Sequence, residues 1–311
     1  MFKNKEYILA IVREGSFSRA AEKLYISQPS LSATVKRIEE KIALPIFDRT
    51  TTPISLTEAG REYVSHALEM ERLEEDFERY ISDCINLSVG EVKIGGSSLF
   101  SSFMLPRMIS EFNKKYPRVS VKIFENNTKN LMRELAEGSL DIVIDNAIIK
   151  NDNISSTLYT SETILLSVPE KFNISDELRR YALTERDIKE GKHLSEKSAV
   201  ELKSFIDFPF ILLNDENDTG KRASLLFKKH SLCPNVRFRL DQQMTAYNIS
   251  SSGLGIAFIS DTLVKNIDSS PTVRYYKLQD SETNRNVYLY QRTNRYHSVA
   301  CQRFMEFCLN R

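Results

Sequence analysis

Apolar positions recur at helical spacing through residues 1–60. They then fall at alternating spacings of three and four, and finally in short runs that switch between strand and helix periods. Ile8, Ile11 and Val12 mark the inner side of a helix over about Asn4–Glu14, which Gly15 stops. Ala20, Ala21 and Leu24 point inward from a short helix, Arg19–Tyr25. Ile26–Ser27 leaves only a tight turn before a third helix, Gln28–Ile42. Ser27 is a good N-cap for it, and Pro29 sits in the first turn, where a missing N–H costs nothing. Leu31, Val35, Ile38 and Ile42 make its buried stripe. The opposite face carries Gln28, Ser32, Ala33 and Lys36, side chains small or polar enough to approach base edges. Two helices crossing tightly at Ala21, the second with a polar outward face, have the geometry of a helix-turn-helix.

After this helix, Leu44–Arg49 and Ile54–Gly60 flank Thr50-Thr51-Thr52-Pro53, which predicts a two-stranded wing with a threonine-rich tip. Arg49 at its base is placed to take a phosphate bidentately. Thr57 then caps a very long helix, Glu58 to about Leu87. Tyr63, His66, Met70, Leu73, Phe77, Tyr80, Cys84 and Leu87 form a heptad seam along it. A 60-residue head cannot cover a seam of that length, so the expected use is pairing with a second copy. Tyr63, Met70, Leu73, Phe77, Tyr80 and Cys84 are the pairing residues. His66 reads as a packed residue rather than a ligand, since it has no partner for a metal site.

From Glu91 the pattern becomes an alternation of strands and helices, which implies a largely parallel α/β sheet. Strands are predicted at Glu91–Gly95, Val119–Phe124, Asp141–Ile144, Thr163–Val168, Phe210–Leu213, Val236–Leu240, Ile256–Ser260, Val273–Leu278 and Val287–Gln291. Helices are predicted up to Tyr116, from Thr128 to Gly138, and at Thr219–His230, Gln242–Ser252 and His297–Leu309. Residues 170–203 are charged and poorly periodic, and read as an insertion with a helix at Asp176–Leu183.

Composition changes this picture little. The 311 residues are 41% apolar and 27% charged, with a formal net charge of +1, as in an ordinary globular protein. The charge is uneven: residues 1–60 hold nine Lys/Arg against seven Asp/Glu, whereas 61–90 hold three against eight. The N-terminus lacks a signal-peptide core, no run reaches membrane-span length, and four cysteines without paired motif spacing suit a reducing cytoplasm. Cytoplasmic location without membrane contact is the expectation.

Gly15-Ser16-Phe17-Ser18-Arg19-Ala20-Ala21-Glu22-Lys23-Leu24, Ser27-Gln28-Pro29-Ser30-Leu31-Ser32, Ile38-Glu39 and Leu56-Thr57-Glu58-Ala59-Gly60 together resemble the N-terminal domain of LysR-type transcriptional regulators. Two positions depart from that pattern. Ala33 stands where many relatives carry arginine, and Ala43 where a glycine usually ends the helix. Residues 90–311 resemble the family's effector domain more diffusely, through Leu105-Pro106, Gly138-Ser139-Leu140-Asp141 and Gly253-Leu254-Gly255.

The resemblance implies an α/β protein with an N-terminal all-α winged helix-turn-helix and an effector domain of two α/β lobes, similar to periplasmic solute-binding proteins. The expected domains are a DNA-binding head over 1–57, a linker helix over 58–89 that pairs between subunits, and an effector-binding domain over 90–311. Lobe one would comprise 91–165 and 270–311, and lobe two 166–269. Gln28, Pro29, Ser30, Ser32, Ala33, Lys36, Arg49 and Thr51 are the candidate DNA contacts. Ser97, Ser98, Thr128, Asn146, Asn217, Thr219 and Gln242, at the carboxyl ends of strands, are the candidate effector contacts. Asn146 stands where some relatives carry an arginine, so an effector with one negative charge or none fits better than a dicarboxylate.

The expected partners are double-stranded DNA at an AT-rich interrupted palindrome, a small-molecule effector and a second copy of the chain. A tetramer follows from the family's use of paired dimers, and RNA polymerase is a further partner of such a regulator. No cofactor or metal is expected. The competing reading is an α/β metabolic enzyme or solute-binding module with an accessory DNA-binding head. The chain offers it no G-x-S-x-G motif and no complete phosphate-binding loop, and His66, His193, His230 and His297 lie apart without triad context.

Overall fold

The computed structural model describes residues 2–48, 50–51, 54–85, 90–195, 199–268, 270–293 and 295–310. The chain divides into two compact units, Met1–Ser82 and Asp83–Arg311. The first unit holds α1 (Lys5–Glu14), α2 (Phe17–Lys23), α3 (Gln28–Ile42), β1 (Phe47–Asp48), β2 (Ser55–Leu56) and α4 (Glu58–Ile85), whose last residues pass into the second unit. Gly15 ends α1 at φ +61°, and the hydroxyls of Ser16 and Ser27 accept the N–H groups of Arg19 and Ser30 as N-caps. The turn helix begins and ends two residues earlier than its apolar spacing predicts. Tyr25 turns left-handed at φ +55°, which returns the Ile26 N–H to the Ala21 carbonyl. Ile8, Ile11, Ala20, Leu31, Val35 and Ile46 close the core beneath, each large aliphatic contributing about 1.5–3 kcal/mol.

Three residues of the recognised motif lock the wing onto the helices. Glu39 Oε1 accepts the N–H groups of Ile46 (2.8 Å) and Phe47 (3.3 Å). Thr57 Oγ1 accepts the Gly60 N–H at 2.9 Å and donates to the Pro45 carbonyl at 2.6 Å. Any side chain at Gly60 would collide with the Ile46 carbonyl oxygen, so the start of α4 can lie this close to the wing only with glycine there. Ala43 ends α3 in the left-handed region at φ +58°, without the glycine that suits it.

The early turns of α4 belong to the head. Tyr63 (5% exposed), Val64 and Ala67 are buried in its core, with the Phe2 ring stacked on Tyr63 at 4.7 Å. Ion pairs Lys5–Glu74 and Arg13–Glu71, both 2.8 Å, tie α4 to α1. Tyr63 is therefore a core residue, not the pairing residue its heptad position suggested. Spacing defines a helix face, but α1 and the N-terminal turn already cover the start of it.

The second unit begins with β3 (Gly90–Gly96), α5 (Leu105–Lys115) after a π-helical turn at Phe100–Met104, β4 (Val119–Glu125), α6 (Thr128–Glu137), β5 (Ile142–Asp145) and β6 (Ile154–Pro169). There follow α7 (Asp176–Arg179), α8 (Glu185–Lys189), β7 (Ala199–Val200), β8 (Pro209–Leu213), α9 (Asp218–Lys229), β9 (Asn235–Leu240), α10 (Gln243–Ser251), β10 (Ile256–Ser260), α11 (Asp261–Asn266), β11 (Val273–Leu278), β12 (Asn284–Arg292) and α12 (Val299–Leu309).

β6 organises both lobes. Residues 154–163 pair with β12 in a sheet ordered β4-β3-β5-β12-β6, in which β3, β4 and β5 run parallel. Residues 164–169 lie between β10 and β11 in the second sheet, β9-β8-β10-β6-β11-β7, where β8, β9 and β10 run parallel. The strand predicted at Thr163–Val168 is only its buried end; Ile154–Ser161 lies exposed or half-buried and carries a weaker apolar signal. β11 belongs to the second lobe, against the expected return to the first lobe at residue 270, because the buried end of β6 needs a ladder on both edges. The helix expected at Asp176–Leu183 stops at Arg179, and Leu183 instead exchanges backbone hydrogen bonds with Tyr275.

Candidate functional site

The outward face of α3 presents Gln28, Pro29, Ser30, Ala33 and Lys36 to solvent, with Ser32 half-buried beside them. Arg37 and Lys41 are also exposed, and add positive charge one and five positions beyond Lys36. Sequence reasoning passed over both, although the helical period that selected Lys36 also leaves them outside the apolar stripe. In the wing, exposed Thr51 shares a 2.8 Å hydrogen bond with Ser55, and Asp48 accepts the N–H and hydroxyl of Thr50. Arg49 lies outside the described residues.

Further along α4, Met70 (42%), Leu73 (55%), Phe77 (64%) and Tyr80 (47%) are exposed, and the Phe77 and Tyr80 rings stack at 6.4 Å. Ile81, unremarked in the heptad reading, adds to this apolar strip. His66 is exposed rather than packed. The Cys84 side chain and Leu87 lie outside the described residues.

In the second unit the carboxyl ends of β3, β4, β5, β8 and β9 converge on a cleft of about 630 Å³ between the lobes. Its wall takes Ser97 and Ser98 from the turn after β3, Thr128 from the start of α6, and Asn146 from the end of β5. Asn217 and Gln242 come from the second lobe. Gly220 lets α9 press onto the end of β8, since a Cβ there would meet the backbone of Leu213 and Asn214. Asn217 then caps α9 by accepting the Thr219 N–H.

Two candidates play other parts. Thr219 is fully buried and lies behind the wall, where its hydroxyl accepts from Arg285 (2.9 Å) and Gln243 (3.0 Å). Thr128 does not cap α6; Asn127 does, leaving the Thr128 hydroxyl to donate to Asp145 at 2.9 Å.

Profiles of two protein families match most of the chain. The "Bacterial regulatory helix-turn-helix protein, lysR family" profile matches residues 2–61, and the "LysR substrate binding domain" profile matches residues 86–311. The chain belongs to the LysR-type transcriptional regulators. It is a DNA-binding regulator with an effector-binding domain, and the metabolic-enzyme alternative has no support. An uncharacterized HTH-type transcriptional regulator of Bacillus subtilis, YcgK, is 28% identical over 304 residues, covering 98% of this chain and 92% of that protein. The fold matches CbnR complexed with its target DNA, at a TM-score of 0.64 and 16% identity over 99% of this chain and 98% of that one. The effector-binding domain of QuiR, solved with shikimate, matches 72% of this chain and 97% of its own at a TM-score of 0.57 and 18% identity.

In this LysR-type regulator the cleft wall contains carboxylates that sequence reasoning did not single out: Glu125, Asp145, Glu216, Asp218 and Asp241. Asp145 is 1% exposed, and burial pushes its carboxyl above the usual carboxylate range. The Ala147 N–H and the Thr128 hydroxyl only partly oppose this. Behind the wall, Arg285 reaches Glu162 (2.6 Å) and Asp218 (2.8 Å), and Asn146 donates to the same Glu162 oxygen at 3.2 Å. Glu162 sits where β6 passes from one sheet to the other and Arg285 at the start of β12, 123 positions apart. A separation that long leaves no local signal. The cleft thus has an arginine near it, but one already neutralised within the hinge.

Proposed function

We propose that the outward face of α3 reads operator bases in the major groove and that the cleft between the lobes holds the effector. Gln28 supplies a bidentate amide for adenine, Ser30, Ser32 and Ala33 allow close approach, and Pro29 fixes the entry of the helix. Lys36, with Arg49 and Thr51 of the wing, holds phosphates. Ala33 removes one basic contact that many relatives have, so Arg37 takes a larger share of backbone attraction here. Met70, Leu73, Phe77 and Tyr80 form the pairing seam of a homodimer, and two dimers span an AT-rich interrupted palindrome. The domains run 1–57, 58–89 and 90–311, and RNA polymerase is a further partner at the promoter.

The observation that carries the effector reading is the cleft itself, a cavity of ligand size where five strand ends meet. Footprinting of the DNA upstream of the protein's own coding region, with and without a panel of metabolites, tests both halves. Gln28→Ala should weaken operator binding by about 1–3 kcal/mol and relax base preference. Unchanged affinity and preference would remove Gln28 from the reading face. Ser98→Ala with Thr128→Val should abolish the response to metabolites while DNA binding persists. A variant that still responded would move the effector out of the cleft.

A further inference from the structure

The cleft wall includes five carboxylates and, among its lining residues, no lysine, arginine or histidine. Asp218 is neutralised by Arg222 and Arg285, both at 2.8 Å. Glu125, Asp145, Glu216 and Asp241 make no salt bridge with any described residue. Glu125, Glu216 and Asp241 stand exposed at the rim. Asp145 differs, because it is a nearly fully buried acid on the cavity wall that is hydrogen-bonded by a hydroxyl and backbone N–H groups and makes no ion pair. Only the more distant Arg285, already held by Glu162 and Asp218, adds positive field. A buried carboxylate without an ion-pair partner is costly unless a proton or an opposite charge neutralises it. Asn127 and Asn217 cap α6 and α9 with their own side chains, whereas α10 starts on the wall at Gln242 without a side-chain cap, one helix N-terminus set against four carboxylates that lack an ion-pair partner among the described residues. A metal ion does not fit either: no group of three or more His, Cys, Asp or Glu among the described residues could hold one.

We propose that the effector of this regulator is an organic cation or zwitterion, a primary amine or amino acid whose ammonium group sits against Asp145. The inference rests on the cleft being the effector site and adds its charge class. The ammonium donates to the Asp145 carboxylate from the first lobe. Glu216 and Asp241 attract it electrostatically from the second lobe, and the hydroxyls of Ser97 and Ser98 take the remaining polar groups. Carboxylate on both walls would make such a ligand a bridge between lobes, with Asn146 relaying its position to Glu162 and Arg285 in the hinge.

Thermal unfolding and calorimetric titration of the full chain with 1,4-diaminobutane, L-ornithine, 1,4-butanediol and succinate test this directly. The two amines should raise the melting temperature, and their effect should shrink as salt rises. The diol and the dicarboxylate should do neither. Asp145→Asn should weaken amine binding about tenfold or more. Glu216→Gln, on an exposed side chain, should weaken it by a smaller, salt-dependent factor. Stabilisation by succinate with none by the amines would overturn the proposal, as would amine binding that survived both substitutions. Silence from both amines would also sink it. The effector-site reading would then still be judged separately, by whether Ser98→Ala with Thr128→Val loses its metabolite-dependent footprint.

Discussion

The outward face of α3 and the wall of the cleft are both polar surfaces, but they are assembled in opposite ways. One helix of 15 residues supplies the first, and every side chain on it is positioned by a buried stripe within the same helix. The cleft draws on the ends of five strands spread from Ser97 to Met244, held by partners as far apart as Glu162 and Arg285. Their charges also oppose each other: Lys36, Arg37 and Lys41 stand free of the α3 core, while the cleft lining offers carboxylates. A basic polar face on one helix is encoded locally. A cleft wall drawn from both lobes exists only in the tertiary fold.

α4 draws the same contrast within one element, since its seam is core near Tyr63 and exposed from Met70 onward. The largest effect is expected there. Leu73→Glu with Phe77→Glu should split the dimer and lower affinity for a full palindrome about 10²- to 10⁴-fold, through loss of the second half-site. Sedimentation velocity and mobility-shift titration would show it, and a double variant that kept the parental oligomer would place the seam elsewhere.

Next in size is the hinge. Arg285→Met leaves Glu162 buried without its counter-charge and should destabilise the effector domain by about 3–5 kcal/mol in urea unfolding. Adding Glu162→Gln should recover much of that loss. If the single substitution were harmless, the lobes would not depend on this ion pair, and the idea of a cleft held together from a distance would fail.

Asp145→Asn makes a smaller and opposite change. Burial holds the Asp145 pKa above its unfolded value, so its contribution favours folding below the ordinary carboxylate range and is lost as pH rises through the folded-state pKa. The variant should therefore be more stable than the parent at neutral pH without ligand, and the gain should vanish on acidification. A loss of stability at neutral pH would mean that Asp145 serves the fold rather than a ligand. The smallest effect belongs to the head: Ala43→Gly should stabilise it by up to about 1 kcal/mol, because the left-handed residue ending α3 would no longer be strained. A thermal melt showing no gain would mean that Ala43 is accommodated without strain.

Local order in the sequence was sufficient for the helix-turn-helix. Caps, turn residues and a 3.6-residue period act within a few positions, so Ser27, Pro29 and Leu31 specify α3 from the sequence alone. The same locality made the strand and helix alternation of residues 90–311 legible, together with most of the cleft-facing turns. Tertiary structure alone decided that Tyr63 is core, that β6 runs through both lobes, that β11 joins the second, and that Thr219 stands behind the wall with Arg285. Each of these depends on which distant segment covers a face or completes a ladder. Burial turns Asp145 from one aspartate among many into a carboxyl held above the usual carboxylate range, and burial is a property of the assembled chain.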